Sequence, residues 1–349
     1  MTKPQNATIF ESGKDFVALK SLIATQQYSQ TVVLVNQNTQ KFCLPLLPNI
    51  FDHIIRIPNG EKHKSIQTIQ KIWSQLIDFQ CDRKMLLVNL GGGVLTDMGA
   101  FAASTYKRGI DCVQIPTSLL AMVDASVGGK TGINFEGIKN VVGTFFEPRM
   151  VVINPIFLDT LPKRDFDNGL AEALKHILIS DLAHDQMADL SLKSNWDIEF
   201  IKKIVAVKIN LITQDFYERS VRKQLNYGHT LGHAIEGFSL KNHPKPLLHG
   251  EAIAVGMWLE NKLANQLGIL NYEALIYCNS MIYKYFKAVI DGYHFSLNDL
   301  LPYLVQDKKN SHNRLFFSLL RGMGDAIVDV EVPIEAIDTL LVSESNSRP

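Results

Sequence analysis

The sequence predicts an α/β protein in two parts, a parallel-sheet domain at residues 1–160 followed by a mainly α-helical domain at 161–349. Three observations predict it. Short apolar runs alternate with helical patterns through the first half, the signature of a parallel sheet with crossover helices. Helical periods dominate the second half, where alternating β-branched runs are sparse. Residues 154–162, with prolines at 155 and 162, mark the change between the two.

The elements follow in order. Residues 31–35 (TVVLV) form a continuous apolar run and read as a buried strand. Ile66, Ile69, Ile72, Trp73, Leu76 and Ile77 recur at helical spacing, with Ser65 placed to cap them. Residues 85–90 (MLLVNL) make a second strand that runs into Gly91, Gly92 and Gly93. A helix of small residues is expected over 97–105, and further strands at 112–115 and 150–153. In the second half Ile201, Ile204, Val205, Lys208 and Ile212 keep helical spacing. So does the stretch 251–266, which Gly268 closes from just beyond its cap. The polar tail at 343–349 is expected to fray.

Composition removes several classes. The chain has 349 residues, 35 of them Lys or Arg and 35 Asp or Glu, with ordinary apolar content. That excludes a disordered chain, a collagen-like chain and a small disulfide scaffold. A zero net charge argues against a dedicated nucleic-acid binder, yet leaves room for a local cationic pocket. No run of 18 apolar residues is present, so no membrane span is expected. The start, MTKPQNATIF, lacks a signal-peptide pattern. Cys43, Cys81, Cys112 and Cys278 form no CxxC pair and read as free thiols of a reducing, cytoplasmic compartment.

Four groups of residues carry possible chemistry. The glycines after the second strand let backbone approach a diphosphate, and a following helix N-terminus supplies free N–H groups. Their spacing is not GxGxxG, so the standard dinucleotide fingerprint is absent. Upstream, Glu61 sits where it is able to accept from a ribose hydroxyl. The second group is the glycine loop 123–132, which presents Asp124 and Lys130 but lacks the first glycine of a phosphate-binding P-loop; Lys139 and Asn140 follow it. The third is the strongest. His229 and His233 are four residues apart on one helix face, His249 follows, and Glu172 lies in an apolar helix where a carboxylate needs a partner. One carboxylate and two imidazoles make a common divalent-metal set, with either His233 or His249 as the second imidazole. The fourth is a scatter of cations, Lys175, Lys208, Arg222, Lys308 and Lys309. The spacing of Arg222, Asn226, His229 and His233 places them on one helical stripe without an apolar member, so it is not a core face but either solvated or turned to a polar ligand, and three of its four members favour the ligand.

Together these strings resemble the 3-dehydroquinate synthases, within the sugar phosphate cyclase superfamily. The resemblance covers residues 59–332 and rests on NGEKHK at 59–64, GGGV at 91–94 with Asp97, YKRG at 106–109, the run 116–130 and GIKN at 137–140. It continues through 169–175, 222–233, LHGE at 248–251 and DKK at 307–309. It implies a Rossmann-like first domain and a homodimer. Glu172, His229 and His249 match zinc ligands (cobalt could occupy the same site). Glu61, Lys64, Gly92, Gly93, Asp97, Thr117, Ser118, Lys130, Lys139, Phe157 and Thr160 match NAD-binding positions. Asp124, Lys130, Asn140, Lys175, Lys208, Arg222, Asn226, His233 and the pair Lys308 and Lys309 match the substrate pocket. Arg108 matches an arginine that reaches the phosphate bound by the neighbouring subunit. Thr96 stands where the family often has Gly, and Ser118 where it has Thr.

The resemblance also implies a reaction. The substrate would be an anionic sugar phosphate, 3-deoxy-D-arabino-heptulosonate 7-phosphate. NAD would oxidise C5 transiently, phosphate would leave by β-elimination, and the hydride would return. Ring opening and an intramolecular aldol step would then give 3-dehydroquinate. The alternatives are another sugar phosphate cyclase, such as 2-deoxy-scyllo-inosose synthase, or a metal-dependent polyol dehydrogenase. No nucleic-acid or membrane partner is expected.

Overall fold

The computed structural model describes residues 7–136, 138–182, 188–305 and 314–346. In chain order the elements are β1 (Ala7–Phe10), α1 (Val17–Gln26), β2 (Thr31–Asn36), α2 (Gln37–Phe42), β3 (His53–Ile57), α3 (Ile66–Asp78), β4 (Leu86–Gly91), α4 (Gly93–Thr105), β5 (Asp111–Pro116), β6 (Ile133–Phe135), β7 (Ile138–Val142) and β8 (Met150–Ile153). Then come α5 (Lys163–Leu178), α6 (Ile198–Gln214), α7 (His229–Asn242), α8 (His249–Gln266), α9 (Tyr272–Gly292), α10 (Leu297–Leu304), β9 (Leu315–Gly322), β10 (Asp325–Val332) and α11 (Ile334–Asn346). The chain divides into two compact units. One comprises Met1–Phe166 with Leu192–Val205, the other Asp167–Ser191 with Ala206–Pro349. No single cut in the sequence describes this division, because 192–205 folds with the first unit.

The first unit is built on a six-stranded sheet of order β1-β8-β5-β4-β2-β3, and every pairing in it is parallel. β4 is buried along its whole length and β2 along all but its last residue, as their mostly apolar sequences require of strands covered on both faces; Asn89 is the polar exception inside β4. Ile69, Ile72 and Leu76 of α3 and Leu95, Met98, Ala100, Ala102 and Ala103 of α4 pack into the same core. From β2 the chain steps outward to β3, then returns to place β4 on the other side of β2 and continues through β5 to β8. The order therefore reverses between β2 and β4, and open parallel sheets bind ligands at the carboxyl ends of strands at such a point. The three glycines lie at the carboxyl end of β4. They enter the helix directly: α4 begins at Gly93, four residues earlier than the small-residue pattern indicated.

The second unit is mainly helical, with α7 packed on α8 and both on further helices. It also holds an antiparallel hairpin, β9 with β10, that the sequence reading did not anticipate. β9 reads LFFSLLRG without strict alternation because both its faces are covered. It packs on α8 and on the 3-10 turn Val221–Asn226, where Ser318 donates to the Lys223 carbonyl at 2.7 Å. All four cysteines are free and buried. Among the described residues, no helix is long and apolar enough to cross a membrane.

Candidate active site

The residues expected to hold a nucleotide and those expected to hold a metal fall in different units, and each group has its own geometry. In the first unit Gly92 caps α4, and the Leu95 and Thr96 amides donate back to its carbonyl. The N–H groups of the first turn thus project from the end of β4 with no intrahelical acceptor. Thr117 is buried and its amide donates to the Gly91 carbonyl at 3.0 Å, while Ser118 Oγ accepts from the Ala121 amide at 3.3 Å. Thr96 is buried, and its hydroxyl donates to the Gly93 carbonyl at 3.0 Å, so it adds no bulk to the exposed side of the glycine turn.

A polar network joins several of these residues. Lys64 is 4 % exposed and its Nζ donates to Asp97 Oδ2 at 2.6 Å and to Asn140 Oδ1 at 2.5 Å. Asn134, which the sequence reading passed over, ties this group together. Its side chain donates to Glu61 Oε1 at 2.8 Å and accepts from the Asn140 amide at 3.0 Å, while its own amide donates to the Lys64 carbonyl at 2.8 Å. The β6–β7 hairpin is thereby fastened to the turn after β3, and Asn140 holds φ 50° within it. Sequence offered no signal for Asn134, since its partners lie 73 and 6 residues away.

The remaining expected residues of the first unit lie on other elements. Asp124 lies half-buried in the turn Ala121–Ala125, and Lys130 is exposed in the glycine loop beyond it. Lys139 is half-buried on β7. Phe157 is 1 % exposed with its ring 5.9 Å from that of Phe16, so it is a core side chain here. Thr160 and Arg108 are exposed, the latter in the left-handed region at φ 67° after α4.

In the second unit the acidic and imidazole groups converge. Glu172, from α5, is fully buried, and its Oε1 lies 3.2 Å from His249 Nε2 and 3.6 Å from His229 Nε2. Ligand atoms of these three residues all lie within 4.8 Å of one another. Lys175, one turn further along α5 and 1 % exposed, forms an ion pair with Glu172. Asn168, one turn before Glu172, accepts the Gly250 amide at 2.6 Å and so holds the start of α8, with His249, against α5.

His229 and His249 sit on neighbouring helices that approach very closely. A Cβ on Gly256 of α8 would lie 2.7 Å from the Gly232 amide nitrogen of α7, and one on Gly232 would lie 2.7 Å from Ile253 Cδ1. Gly228, at φ 78°, ends the preceding turn and starts α7. That break corrects the single helical stripe read from spacing. Arg222 and Asn226 belong to the 3-10 turn Val221–Asn226, not to the helix carrying His229 and His233. Glu260, fully buried on α8, accepts the Gly228 amide at 2.7 Å and the Leu231 amide at 3.0 Å, so it caps α7 from the neighbouring helix.

The imidazoles are oriented by their other nitrogens. His229 Nδ1 faces the Tyr227 carbonyl at 3.0 Å, and a carbonyl only accepts, so Nδ1 carries the proton and Nε2 a lone pair. Tyr227 is itself held by its hydroxyl, which donates to Asn261 Oδ1 at 2.7 Å. Burial, then the Lys175 charge, hold the His229 pKa well below the usual imidazole range, so the ring is neutral. His249 Nδ1 faces Glu236 Oε2 at 3.3 Å. Burial alone would lower its pKa, but hydrogen bonds to Glu172 and Glu236, with their charges, push it up to about 10. Two imidazole Nε2 atoms therefore converge on one carboxylate oxygen. At neutral His229 the Nε2 lone pair facing that carboxylate is repulsive unless a cation lies between them, whereas the His249 ring, protonated when no ion is bound, would give up its Nε2 proton to one. The donor set thus fits a divalent ion, with both imidazoles supported through Nδ1 as metal-ligating histidines usually are. His233 is exposed, its ring 5.2 Å from that of His229; its ligand atoms group with those of Glu236 and His249 instead.

Among the described residues of this unit three cations are buried: Lys175 at 1 %, Arg222 at 2 % and Lys208 at 6 % exposure. Arg222 donates to the Phe216 carbonyl, and Asn226 donates to Glu218 Oε1 at 2.7 Å. Asp215 organises the loop that carries them, accepting the amides of Arg219 at 2.9 Å, Ser220 at 2.6 Å and Arg222 at 3.2 Å. Lys308 and Lys309 lie outside the described residues.

The first unit is of the nucleotide-binding α/β class, with a glycine turn at its switch point, and the second, taken by itself, gathers one carboxylate and two imidazoles beside buried cations, the donor set of a metal enzyme. Comparison narrows the class. Residues 54–168 match the 3-dehydroquinate synthase N-terminal family and residues 169–310 the 3-dehydroquinate synthase C-terminal family. A 3-dehydroquinate synthase from Parabacteroides distasonis is 38% identical over 330 residues, covering 91% of this chain and 92% of the relative. One from Sulfurovum sp. is 41% identical, covering 78% of this chain and 77% of the relative. Among solved structures, a 2-epi-5-epi-valiolone synthase from Streptomyces hygroscopicus with NAD+ and Zn2+ bound superposes with a TM-score of 0.83 at 25% identity, covering 99% of both chains. The chain belongs to the 3-dehydroquinate synthase family.

Proposed function

We propose that this chain is an NAD- and metal-dependent 3-dehydroquinate synthase, releasing phosphate from 3-deoxy-D-arabino-heptulosonate 7-phosphate. The observation that carries the reading is the convergence of Glu172, His229 and His249, with both Nδ1 atoms already engaged, in a chain of this family. The valiolone synthase, which shares the fold, holds NAD+ and Zn2+, and this chain's donor set suits the same kind of ion. When bound, NAD accepts and returns a hydride, and the divalent ion acidifies a substrate hydroxyl.

The chain's own residues then have defined tasks. The α4 N-terminus with Gly92 and Gly93, supported by Lys64, Asp97, Thr117 and Ser118, orients the nucleotide diphosphate. Glu61, Lys139 and Thr160 complete that set, and Phe157, a core side chain, supports it from within the unit. Lys175, Lys208 and Arg222 bind the substrate carboxylate and phosphate, for which charge-assisted bonds are about twice as strong as neutral ones. Lys130, Asn140, Lys308 and Lys309 serve the same end. Asn226 holds a hydroxyl, and Asp124 and His233, which can ionise, each hold a hydroxyl and take up or give a proton. Arg108 reaches the phosphate of a second subunit in a homodimer, and the enzyme works in the cytoplasm.

Replacing the metal ligands tests the assignment. Glu172→Gln and His249→Ala each lose bound zinc, measured by elemental analysis, and lose phosphate release with it. A metal-free variant with full turnover would refute the assignment. Substrate identity is read by offering sugar phosphates with and without a carboxylate; release confined to the carboxylated one is the expected result.

A further inference from the structure

Glu236 has no task in the chemistry just described, yet it is buried at 6 % exposure and its carboxylate is aimed at His249. It lies on α7, three residues past His233 and seven past His229, so one helix presents His229 and Glu236 to the same neighbour. The two imidazoles are held differently. His229, with an 11% exposed side chain, is fixed by a main-chain carbonyl, that of Tyr227. His249 is the more open, at 28%, and sits in the first turn of α8, where packing restrains its ring less. Its Nδ1 meets Glu236 Oε2 at 3.3 Å while its Nε2 meets Glu172 Oε1 at 3.2 Å, so the ring is suspended between two carboxylates.

We propose that Glu236 is a positioning residue that sets the tautomer and ring orientation of His249 and so raises the affinity of the Glu172–His229–His249 site for a divalent ion, an inference that rests on the metal reading of that site. A carboxylate accepts but does not donate, so this contact holds the proton on Nδ1 when a divalent ion displaces the one on Nε2, and the freed Nε2 lone pair would then face the ion beside Glu172. Without it, the ring would be free to turn about its last torsion and present either nitrogen.

The test is a cobalt titration of the metal-free enzyme against a competing chelator, followed by visible d–d absorption and repeated with Glu236→Ala and Glu236→Leu. Loss of such an outer carboxylate weakens metal binding by about 10–100-fold. The expected result is a loss in that range for Glu236→Ala, an unchanged shape of the cobalt spectrum, and an unfolding midpoint of the metal-free protein equal to the parent's. Where Glu236→Ala fails to fold, Glu236→Leu fills the space without an acceptor and carries the same threshold. A loss below tenfold overturns the proposal, and so does a changed spectrum, which would make Glu236 a direct ligand. If the parent itself takes up no cobalt, the metal reading fails and this inference with it; if the parent binds and the variants bind equally, only this inference fails.

Discussion

Asp215 shows how much of the site depends on single residues whose type gives no hint of their task. Its carboxylate gathers three main-chain amides and so shapes the loop that presents Arg222. Burial would raise its pKa, but the hydrogen bonds from Arg219, Ser220 and Arg222 outweigh that and hold it below its ordinary value of 3.8. A carboxyl with a depressed folded-state pKa contributes stability that is fully present above its unfolded value and is lost as pH falls through the folded value. Asp215→Asn is therefore expected to destabilise the protein by about 1–2 kcal/mol at pH 7. Denaturant titrations of parent and variant should show the gap narrowing below about pH 4; a gap that widens in acid would contradict the assignment. The reactive residue types were legible in sequence. Glu172 stood out as a carboxylate in an apolar helix, and His229, His233 and His249 by their spacing. The residues that arrange the surrounding backbone were not, because Asn134, Asp215 and Glu260 act by accepting main-chain amides, a task their residue types do not announce. Glu236 was legible in principle, since it continues the helical face of His229 and His233.

At the scale of elements, the α7–α8 contact decides where the imidazoles stand. Gly228, Gly232 and Gly256 allow the two backbones to meet, and Glu260 caps one helix from the other. A side chain at Gly256 meets backbone of α7, which does not yield as a side-chain tip would. Gly256→Val is expected to cost at least about 2 kcal/mol, by analogy with overpacked cores. It should weaken metal uptake too, because His249 and His229 move apart; chemical denaturation and a zinc titration check the two effects. Unchanged stability would show that the helices have room to separate. Periodicity and apolar runs found the helices at 198–214 and 249–266 and four of the sheet's six strands, β2, β4, β5 and β8, but not the short edge strands β1 and β3. Periodicity failed at residues 227–228, where continuous spacing hid a break made by one left-handed glycine. It failed again at the β9–β10 hairpin, where a strand covered on both faces shows no alternation.

The whole molecule divides its labour between a parallel sheet with a glycine turn and a helical unit with a metal-type cluster. That broad plan was readable, because alternating strands and helices impose one pattern and helical packing another. The return of 192–205 to the first unit was not readable, since nothing in its composition separates it from its flanks. The proposed activity makes the two halves interdependent. Oxidation at C5 acidifies the neighbouring C–H before phosphate leaves, so the nucleotide half gates a step in which no net redox change remains. Phosphate release from 3-deoxy-D-arabino-heptulosonate 7-phosphate, measured with enzyme stripped of both nucleotide and metal, tests this most directly. Release should be absent, should return only when NAD and a divalent ion are both restored, and should proceed without accumulation of NADH. Undiminished release from the stripped enzyme, or one NADH formed per phosphate, would contradict it.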